Sequence, residues 1–137
     1  MRYLIDSNIL IFIITDQDLL TKEVQNILDD CSNRIYVPSK CVEELIYLQQ
    51  ADKIDVKRWK IAEDIVRTID EFGFDIKYVA REHLLTLARL PLLPGHKDST
   101  DRVAIAQAIT EKIPIISSDR DFPRYKRYGL ELVFNRR

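Results

Sequence analysis

Short apolar segments alternate with longer amphipathic stretches along the whole chain. The segments at 3–5, 35–37, 113–116 and 130–134 are rich in β-branched residues and predict buried strands, with a weaker strand at 74–79. Between them, apolar residues recur at the spacing of helices that pack on a sheet. Strands joined by helices become parallel and are covered on both faces. The pattern therefore predicts an α/β fold, a three-layer α/β/α sandwich with a mostly parallel central sheet.

The first predicted helix has a recognisable start. Its apolar run, 9–14, follows Asp6, Ser7 and Asn8, which are all helix-capping residue types. We assign it to a helix that is buried on most sides. Further helices are expected at 20–31, at 58–71, at 81–89 and from Asp98 onward.

The helix after the second strand carries two neighbouring acidic residues in different environments. Ser39 is expected to cap this helix. Glu44 borders its apolar stripe, and Glu43 lies further toward solvent. The stripe consists of Cys41, Val42, Leu45, Ile46 and Leu48.

Length and composition are those of one globular domain. The 137 residues are 46% hydrophobic and 31% charged, so we expect a single domain over 1–137 without a linker. No apolar run is long enough to span a membrane, and Asp6 interrupts the first apolar stretch, which is unlike a secretory signal. We therefore expect a cytoplasmic protein.

Charge and cysteine content change this picture little. The net charge is −1, but the end of the chain is locally basic, and its cations form either a solvated face or a rim that faces phosphates. Cys31 and Cys41 are too few for a disulfide framework and are expected to be buried or half-buried thiols. The basic tail comprises Arg120, Arg124, Lys126, Arg127, Arg136 and Arg137.

Four carboxylates are predicted to meet at one edge of the sheet. Open α/β sheets bind ligands outside the carboxyl ends of their strands, where the strand order reverses. Asp6 directly follows the first strand. Asp119 follows the strand at 113–117, with Ser118 between them. Asp101 lies in the first turn of a later helix, and Glu44 lies early in the helix after the second strand. All four can converge.

Each of these residues also has a structural interpretation. An Asp after a strand is often a turn or cap residue, and Asp98 with Asp101 three positions later resembles a capping box. Capping is the first interpretation for Asp98. Two carboxylates about 4 Å apart repel by on the order of 4 kcal/mol at an effective dielectric constant of 20, so several together favour a bound cation. The proposed site is built from oxygen ligands and contains no cysteine, and the chain has only His83 and His96, which favours Mg²⁺ or Mn²⁺ as in metal-dependent nucleases.

These residues resemble the PIN domain, specifically the VapC-like toxins of type II toxin–antitoxin modules. The resemblance covers essentially the whole chain in order. It rests on four short motifs: residues 4–8, Glu44-Leu45, residues 98–102 with 106–108, and residues 117–119 with Phe122.

The resemblance implies a Mg²⁺- or Mn²⁺-dependent endoribonuclease that acts on cellular RNA. It implies a homodimer that is neutralised by a small antitoxin whose tail occupies the active site. The catalytic carboxylates of the family are matched by Asp6, Glu44, Asp101 and Asp119. Its metal ligands are matched by Asp6, Asp101 and Asp119.

Four further residues are candidates for supporting this cluster. Asn8 and Ser118 match polar positions of the family, and His96 and Asp98 resemble a subgroup in which a His and an Asp precede the helix. Ser99 stands where that subgroup has proline. The alternative hypothesis is a PIN-like fold that lacks catalysis and binds nucleic acid or protein.

Overall fold

A five-stranded parallel sheet forms the centre of the computed structural model, which describes residues 1–136. The strand order is β3-β2-β1-β4-β5, so the order reverses between β1 and β4. This confirms the predicted α/β architecture, although the outer strands are shorter than the sequence indicated. The strands are β1 (Arg2–Ile5), β2 (Arg34–Pro38), β3 (Asp75–Lys77), β4 (Ile115–Ser117) and β5 (Leu132–Phe134).

Helices connect these strands and cover the sheet. Two short 3-10 segments, Gln17–Leu19 and Phe122–Tyr128, complete the connections. The helices are α1 (Ser7–Thr15), α2 (Lys22–Asp29), α3 (Ser39–Gln50), α4 (Glu63–Glu71), α5 (Arg81–Arg89) and α6 (Ser99–Glu111).

Three helix starts differ from the predictions. The helix expected at 20–31 begins at Lys22 because the Thr21 side chain caps it by accepting a hydrogen bond from Val24 N. The cap expected from Ser39 was wrong, since Ser39 is the first residue of α3 and Pro38 occupies the cap position without a side-chain bond.

The helix expected at 58–71 begins only at Glu63. The Asp64 carboxylate accepts hydrogen bonds from the backbone N–H groups of Lys60 and Ile61, which turns the chain before the helix. Trp59 is buried in this turn, where its indole N–H donates to Thr68 Oγ1. The local hydrogen bonds therefore replace the first helical turn that the apolar pattern predicted.

The core lies between the sheet and the helices. The inner strands β1 and β4 are almost wholly buried, and Ile9, Leu10 and Ile13 of α1 pack into the same core, as predicted. Burial raises the pKa of the Cys41 thiol. Cys31, expected to be at least half-buried, is exposed because it lies in the turn after α2. Within residues 1–136, no helix is both long enough and apolar enough to cross a membrane.

Candidate active site

A small acidic cavity lies at the carboxyl edge of the sheet, where the strand order reverses. Its volume is about 100 Å³, and all four predicted carboxylates line it. A larger hollow of about 780 Å³ lies at the opposite edge, around Met1 and Asn33, where no predicted site residue is found. The acidic cavity is lined by Asp6, Ser7, Asn8, Glu44, Asp98, Asp101 and Asp119.

Asp6 is both a helix cap and a member of the cavity. Its Oδ1 accepts a hydrogen bond of 3.0 Å from Ile9 N, and its Oδ2 accepts one of 2.5 Å from the Ser117 hydroxyl. Burial raises the pKa of Asp6 to about 6, although these two hydrogen bonds oppose the shift, and the charge of Asp119 raises it further. The capping role and the cavity role therefore belong to the same carboxylate.

Ser117, which the sequence analysis did not select, connects two of the carboxylates. Its hydroxyl donates to Asp6 and accepts a 3.0 Å hydrogen bond from Asp119 N. Ser118, the predicted supporting residue, instead accepts a hydrogen bond from Asn135 Nδ2 and does not line the acidic cavity. The sequence did contain a signal for Ser117: it is a serine at the end of a buried strand, and a buried hydroxyl needs hydrogen-bond partners.

Asp98 and Asp101 stand at the start of α6. The Asp98 carboxylate caps the helix by accepting a 3.0 Å hydrogen bond from Asp101 N, as the spacing predicted, and it also lines the cavity. Burial raises the pKa of Asp101 to about 8, with further contributions from the charges of the surrounding Asp98, Asp119, Asp6 and Glu44. Burial of this carboxylate, reinforced by the charges around it, therefore opposes ionisation of Asp101.

His96 is buried against Asp101. Its Nε2 lies 3.2 Å from Asp101 Oδ2, and its Nδ1 lies 2.6 Å from the hydroxyl of the fully buried Tyr125. Both ring nitrogens therefore have partners, and the ring is held in one orientation. Tyr125 was not selected from the sequence, since an aromatic residue in a short segment is usually a core residue.

Glu44 and Asn8 complete the lining. Glu44 is half-buried on α3, and its Oε1 accepts a 3.4 Å hydrogen bond from the Ser7 hydroxyl. Glu43 is exposed, as predicted. Asn8 is exposed at the rim, and its backbone N–H lowers the pKa of Asp6. The hydrogen bond from Ser7 to Glu44 is the longest of the hydrogen bonds that the carboxylates of this cavity accept.

The donor atoms of this cavity fit a divalent cation. One ligand atom each from His96, Asp101 and Asp119 lie within 4.8 Å of one another. The predicted ligands Asp101 and Asp119 belong to this group. The third predicted ligand, Asp6, does not, and both of its carboxylate oxygens already accept hydrogen bonds. Carboxylates favour Mg²⁺ or Mn²⁺, and an imidazole nitrogen at this position favours Mn²⁺ of the two.

Comparisons with known proteins agree with this geometry. The family model described as PIN domain matches residues 3–128. A structure of VapBC2 from Rickettsia felis, bound to a DNA fragment from its promoter, is similar with a TM-score of 0.68 and 19% identity, covering 98% of each chain. A structure of VapBC-1 from nontypeable Haemophilus influenzae is similar with a TM-score of 0.64 and 16% identity, covering 98% of each chain.

VapBC-5 from Mycobacterium tuberculosis is similar at a TM-score of 0.62 and 15% identity, covering 97% of this chain and 98% of that one. No curated protein matches this chain in sequence. At these identities the solved structures establish the fold, and the family model establishes the relationship. This chain belongs to the PIN domain family.

Proposed function

We propose that this protein is a metal-dependent endoribonuclease that hydrolyses RNA phosphodiester bonds, and that it is the toxin of a toxin–antitoxin pair. One observation carries the nuclease proposal: Asp6, Glu44, Asp101 and Asp119 come from four different parts of the chain and line one cavity. Members of the PIN domain family are generally metal-dependent nucleases, which agrees with this cluster.

The side chains of the cavity have different proposed roles. Asp6, Asp101 and Asp119 are the proposed ligands of Mg²⁺ or Mn²⁺, with His96 close enough to contribute its Nε2. When bound, the cation supplies a water of lowered pKa and offsets the charge of the phosphodiester. The Ser117 hydroxyl fixes the position of Asp6 relative to the Asp119 loop. Glu44 has oxygen lone pairs to spare and can hold and orient the attacking water.

The test of this function is cleavage of RNA by purified variants. Asp101→Asn and Asp6→Asn should lower the rate of cleavage of mixed cellular RNA by at least about 100-fold, since each removes a ligand charge without changing side-chain shape. Addition of EDTA should abolish cleavage by the wild-type protein, and Mg²⁺ or Mn²⁺ in excess should restore it. Gel analysis of labelled RNA measures the rate.

Adjacent residues on α3 provide a matched control. Glu44→Gln should reduce cleavage strongly, whereas Glu43→Gln removes the same charge from an exposed position and should leave it within twofold. Wild-type cleavage by Asp101→Asn with Mg²⁺ would refute the assignment. Circular dichroism of each variant establishes that the fold is retained.

The alternative is a PIN-like module that binds nucleic acid or protein without catalysis. The cavity argues against it, because burial and the surrounding carboxylate charges raise the pKa of Asp101 to about 8, and such a cluster repels a polyanion unless a cation offsets its charge. RNA binding by the wild-type protein without any cleavage in Mg²⁺ or Mn²⁺ would favour the module.

The toxin assignment rests on the VapBC neighbours, one of which is described as a member of a family of toxin–antitoxin systems. We propose a cognate antitoxin that binds this chain and covers the acidic cavity. Expression of the chain in a bacterial host should arrest growth, and Asp101→Asn should not. Co-expression of a small protein encoded directly beside this one should restore growth; failure of every neighbouring gene to do so would count against the pair.

We also propose that the protein is a homodimer. Four large apolar side chains are exposed on α5 or close to its ends: Tyr78, Leu84, Leu85 and Leu92. Such a concentration of apolar surface is typical of an interface. Light scattering should give twice the mass of one chain, and Leu84→Lys should reduce it to one. Ile61→Lys, an exposed apolar residue elsewhere, is the control, and a wild-type monomer would contradict the proposal.

A further inference from the structure

A second hollow, the basic cleft, lies beside the acidic cavity along the same sheet edge. Its volume is about 250 Å³, and it is lined by Ser118, Arg120, Phe134, Asn135 and Arg136. Asp119 belongs to the acidic cavity, and both of its sequence neighbours belong to the basic cleft. The two hollows are thus separated by a single residue.

The position of the basic cleft follows from the strand order. Ser117 at the end of β4 pairs with Phe134 at the end of β5. Because the strands are parallel and adjacent, the residues after both strands leave the sheet on the same side. Arg120 after β4 and Arg136 after β5 therefore approach each other next to Asp119.

The floor of the cleft is fixed by Asn135, which is 1% exposed. Its Oδ1 accepts a 2.7 Å hydrogen bond from Thr21 N, and its Nδ2 donates to Leu19 O and to the Ser118 hydroxyl at 2.9 and 2.8 Å. Its backbone N–H donates to Ser117 O. The Asn135 side chain is thus fully bonded, and the backbone at this part of the cleft is preorganised.

The arginines of the basic tail differ in their availability. Arg124 is bonded to Asp121 and to Pro94 O, and Arg127 lies over the ring of Tyr128. Within residues 1–136, Arg120 and Arg136 are exposed and make neither an ion pair nor a side-chain hydrogen bond. Arg137 lies outside the described residues. Lys126 and Arg127 are exposed as well but do not line the cleft, so Arg120 and Arg136 are the described cations of the tail that are both exposed and part of its lining.

We propose that the basic cleft binds a backbone phosphate of single-stranded RNA adjacent to the phosphodiester in the acidic cavity, through Arg120 and Arg136. The proposal rests on the ribonuclease function proposed above. A strand that leaves a cavity lined by five carboxylates meets repulsion unless its next phosphate is offset by cations. Guanidinium groups suit this task, because their forked donors match phosphate oxygens.

Binding of a fluorescein-labelled ten-residue polyuridine RNA tests the cleft directly. All proteins in this assay carry Asp101→Asn, so that the RNA is not consumed, and anisotropy is measured in Mg²⁺ at several KCl concentrations. Arg120→Gln with Arg136→Gln should weaken binding at least about 10-fold at low salt. It should flatten the slope of log affinity against log salt by roughly 0.7 for each phosphate that the protein no longer neutralises.

The matched control removes two charges from the same tail outside the cleft. Lys126→Gln with Arg127→Gln changes exposed cations that do not line the hollow, and it should change affinity less than twofold. Arg136→Gln alone is a second variant; it changes an exposed side chain that has no bonded partner within residues 1–136, so the fold should be retained. It should reproduce part of the loss. Equal effects of the cleft and control pairs would overturn the proposal.

Cleavage by proteins that retain Asp101 separates this proposal from the nuclease function. The cleft variant should raise KM for RNA with little change in kcat, because its arginines contact a phosphate that does not react. If the wild type cleaves RNA and the cleft variant has the same KM, the cleft proposal fails and the nuclease stands. If the wild type cleaves no RNA but the anisotropy difference is present, the nuclease fails and the cleft stands as an RNA-binding site.

Discussion

Two buried histidines each pair with a carboxylate of α6, at opposite ends of that helix. In the clamp pair, His83 Nε2 lies 2.7 Å from Glu111 Oε2 in the last turn. In the site pair, His96 Nε2 lies 3.2 Å from Asp101 Oδ2 in the first turn. Both rings are at most 3% exposed, and the other nitrogen of each ring is bonded as well. Local geometry alone does not distinguish them.

The charges around the two pairs are opposite. The clamp pair has cations nearby, with Lys77 Nζ 3.5 Å and Arg2 Nη1 4.0 Å from Glu111 Oε1. The hydrogen bond from His83 and the charge of Lys77 lower the pKa of Glu111. The site pair has carboxylates nearby, and burial together with their charges raises the pKa of Asp101 to about 8.

The surrounding charges separate a structural pair from a proposed metal-binding pair. A histidine–carboxylate pair whose charge is balanced by lysine and arginine is a clamp that joins α5, α6 and β3. The same pair among uncompensated carboxylates is the site that, under the proposed function, a cation would complete. Unbalanced charge, rather than the presence of a buried histidine, distinguishes this end of α6.

The largest effect is expected when a divalent cation is added to the wild-type protein. Millimolar Mg²⁺ or Mn²⁺ should raise the melting temperature of the wild-type protein by about 5 to 10 °C, since a ligand at 100 times its dissociation constant stabilises by about 2.7 kcal/mol. Asp101→Asn should lose this shift because it removes a proposed ligand. Glu111→Gln should keep it. Differential scanning fluorimetry measures the shift, and its loss in Glu111→Gln would erase the distinction between the two pairs.

A smaller, opposite effect is expected without metal. In EDTA at pH 8, Asp101→Asn should raise the free energy of unfolding by about 1 to 2 kcal/mol, because it removes a charge that is buried and that its neighbours repel. Glu111→Gln should lower it by about 1 to 2 kcal/mol, because it weakens hydrogen bonds to a charged group. Urea denaturation measures both changes.

The pH dependence of the same measurement has a definite sign. The pKa of Asp101 is raised on folding, so its contribution to stability is present at low pH and is lost as the pH rises through about 8. The pKa of Glu111 is lowered, so its contribution is present above pH 5 and is lost as the pH falls through the folded value. Wild-type stability in EDTA should therefore fall between pH 5 and 8. Asp101→Asn should remove most of this fall; an unchanged pH profile would contradict the repulsion argument.

Apolar periodicity was sufficient to predict the fold. The β-branched runs gave the inner strands β1, β2 and β4 to within two residues at each end, because a strand buried on both faces has little choice of residues. Two helix starts were misplaced where polar side chains bond to nearby backbone groups, at Thr21 and at Asp64. The Asp64 carboxylate removed a helical turn in this way, and such competition is not visible in hydrophobic spacing.

The candidate site was predicted in part for a related reason. Asp6 and Asp119 follow strands that meet at the switch point, so topology alone brings them together. Ser117, Tyr125 and the cleft arginines depend on which side chains face each other after the chain folds. The basic tail shows this most clearly, since its arginines are alike in sequence but, of those that the structure describes, only Arg120 and Arg136 line the cleft. Side-chain partners of this kind are set by tertiary structure.

The smallest predicted effect concerns the residue that orients the site histidine. Tyr125→Phe removes the hydroxyl that bonds His96 Nδ1 and leaves the rest of the ring packed. We expect metal affinity to fall about 10-fold, as is usual when a group that orients a ligand is lost, with a stability cost of about 1 kcal/mol. Thr86→Val breaks the 2.6 Å hydrogen bond to Thr110 between α5 and α6 and should cost similar stability without changing metal affinity. Calorimetric titration with Mn²⁺ compares them. If both variants bind Mn²⁺ like the wild type, the hydrogen bond between Tyr125 and His96 does not influence the cation, and a contribution of His96 to metal binding is contradicted.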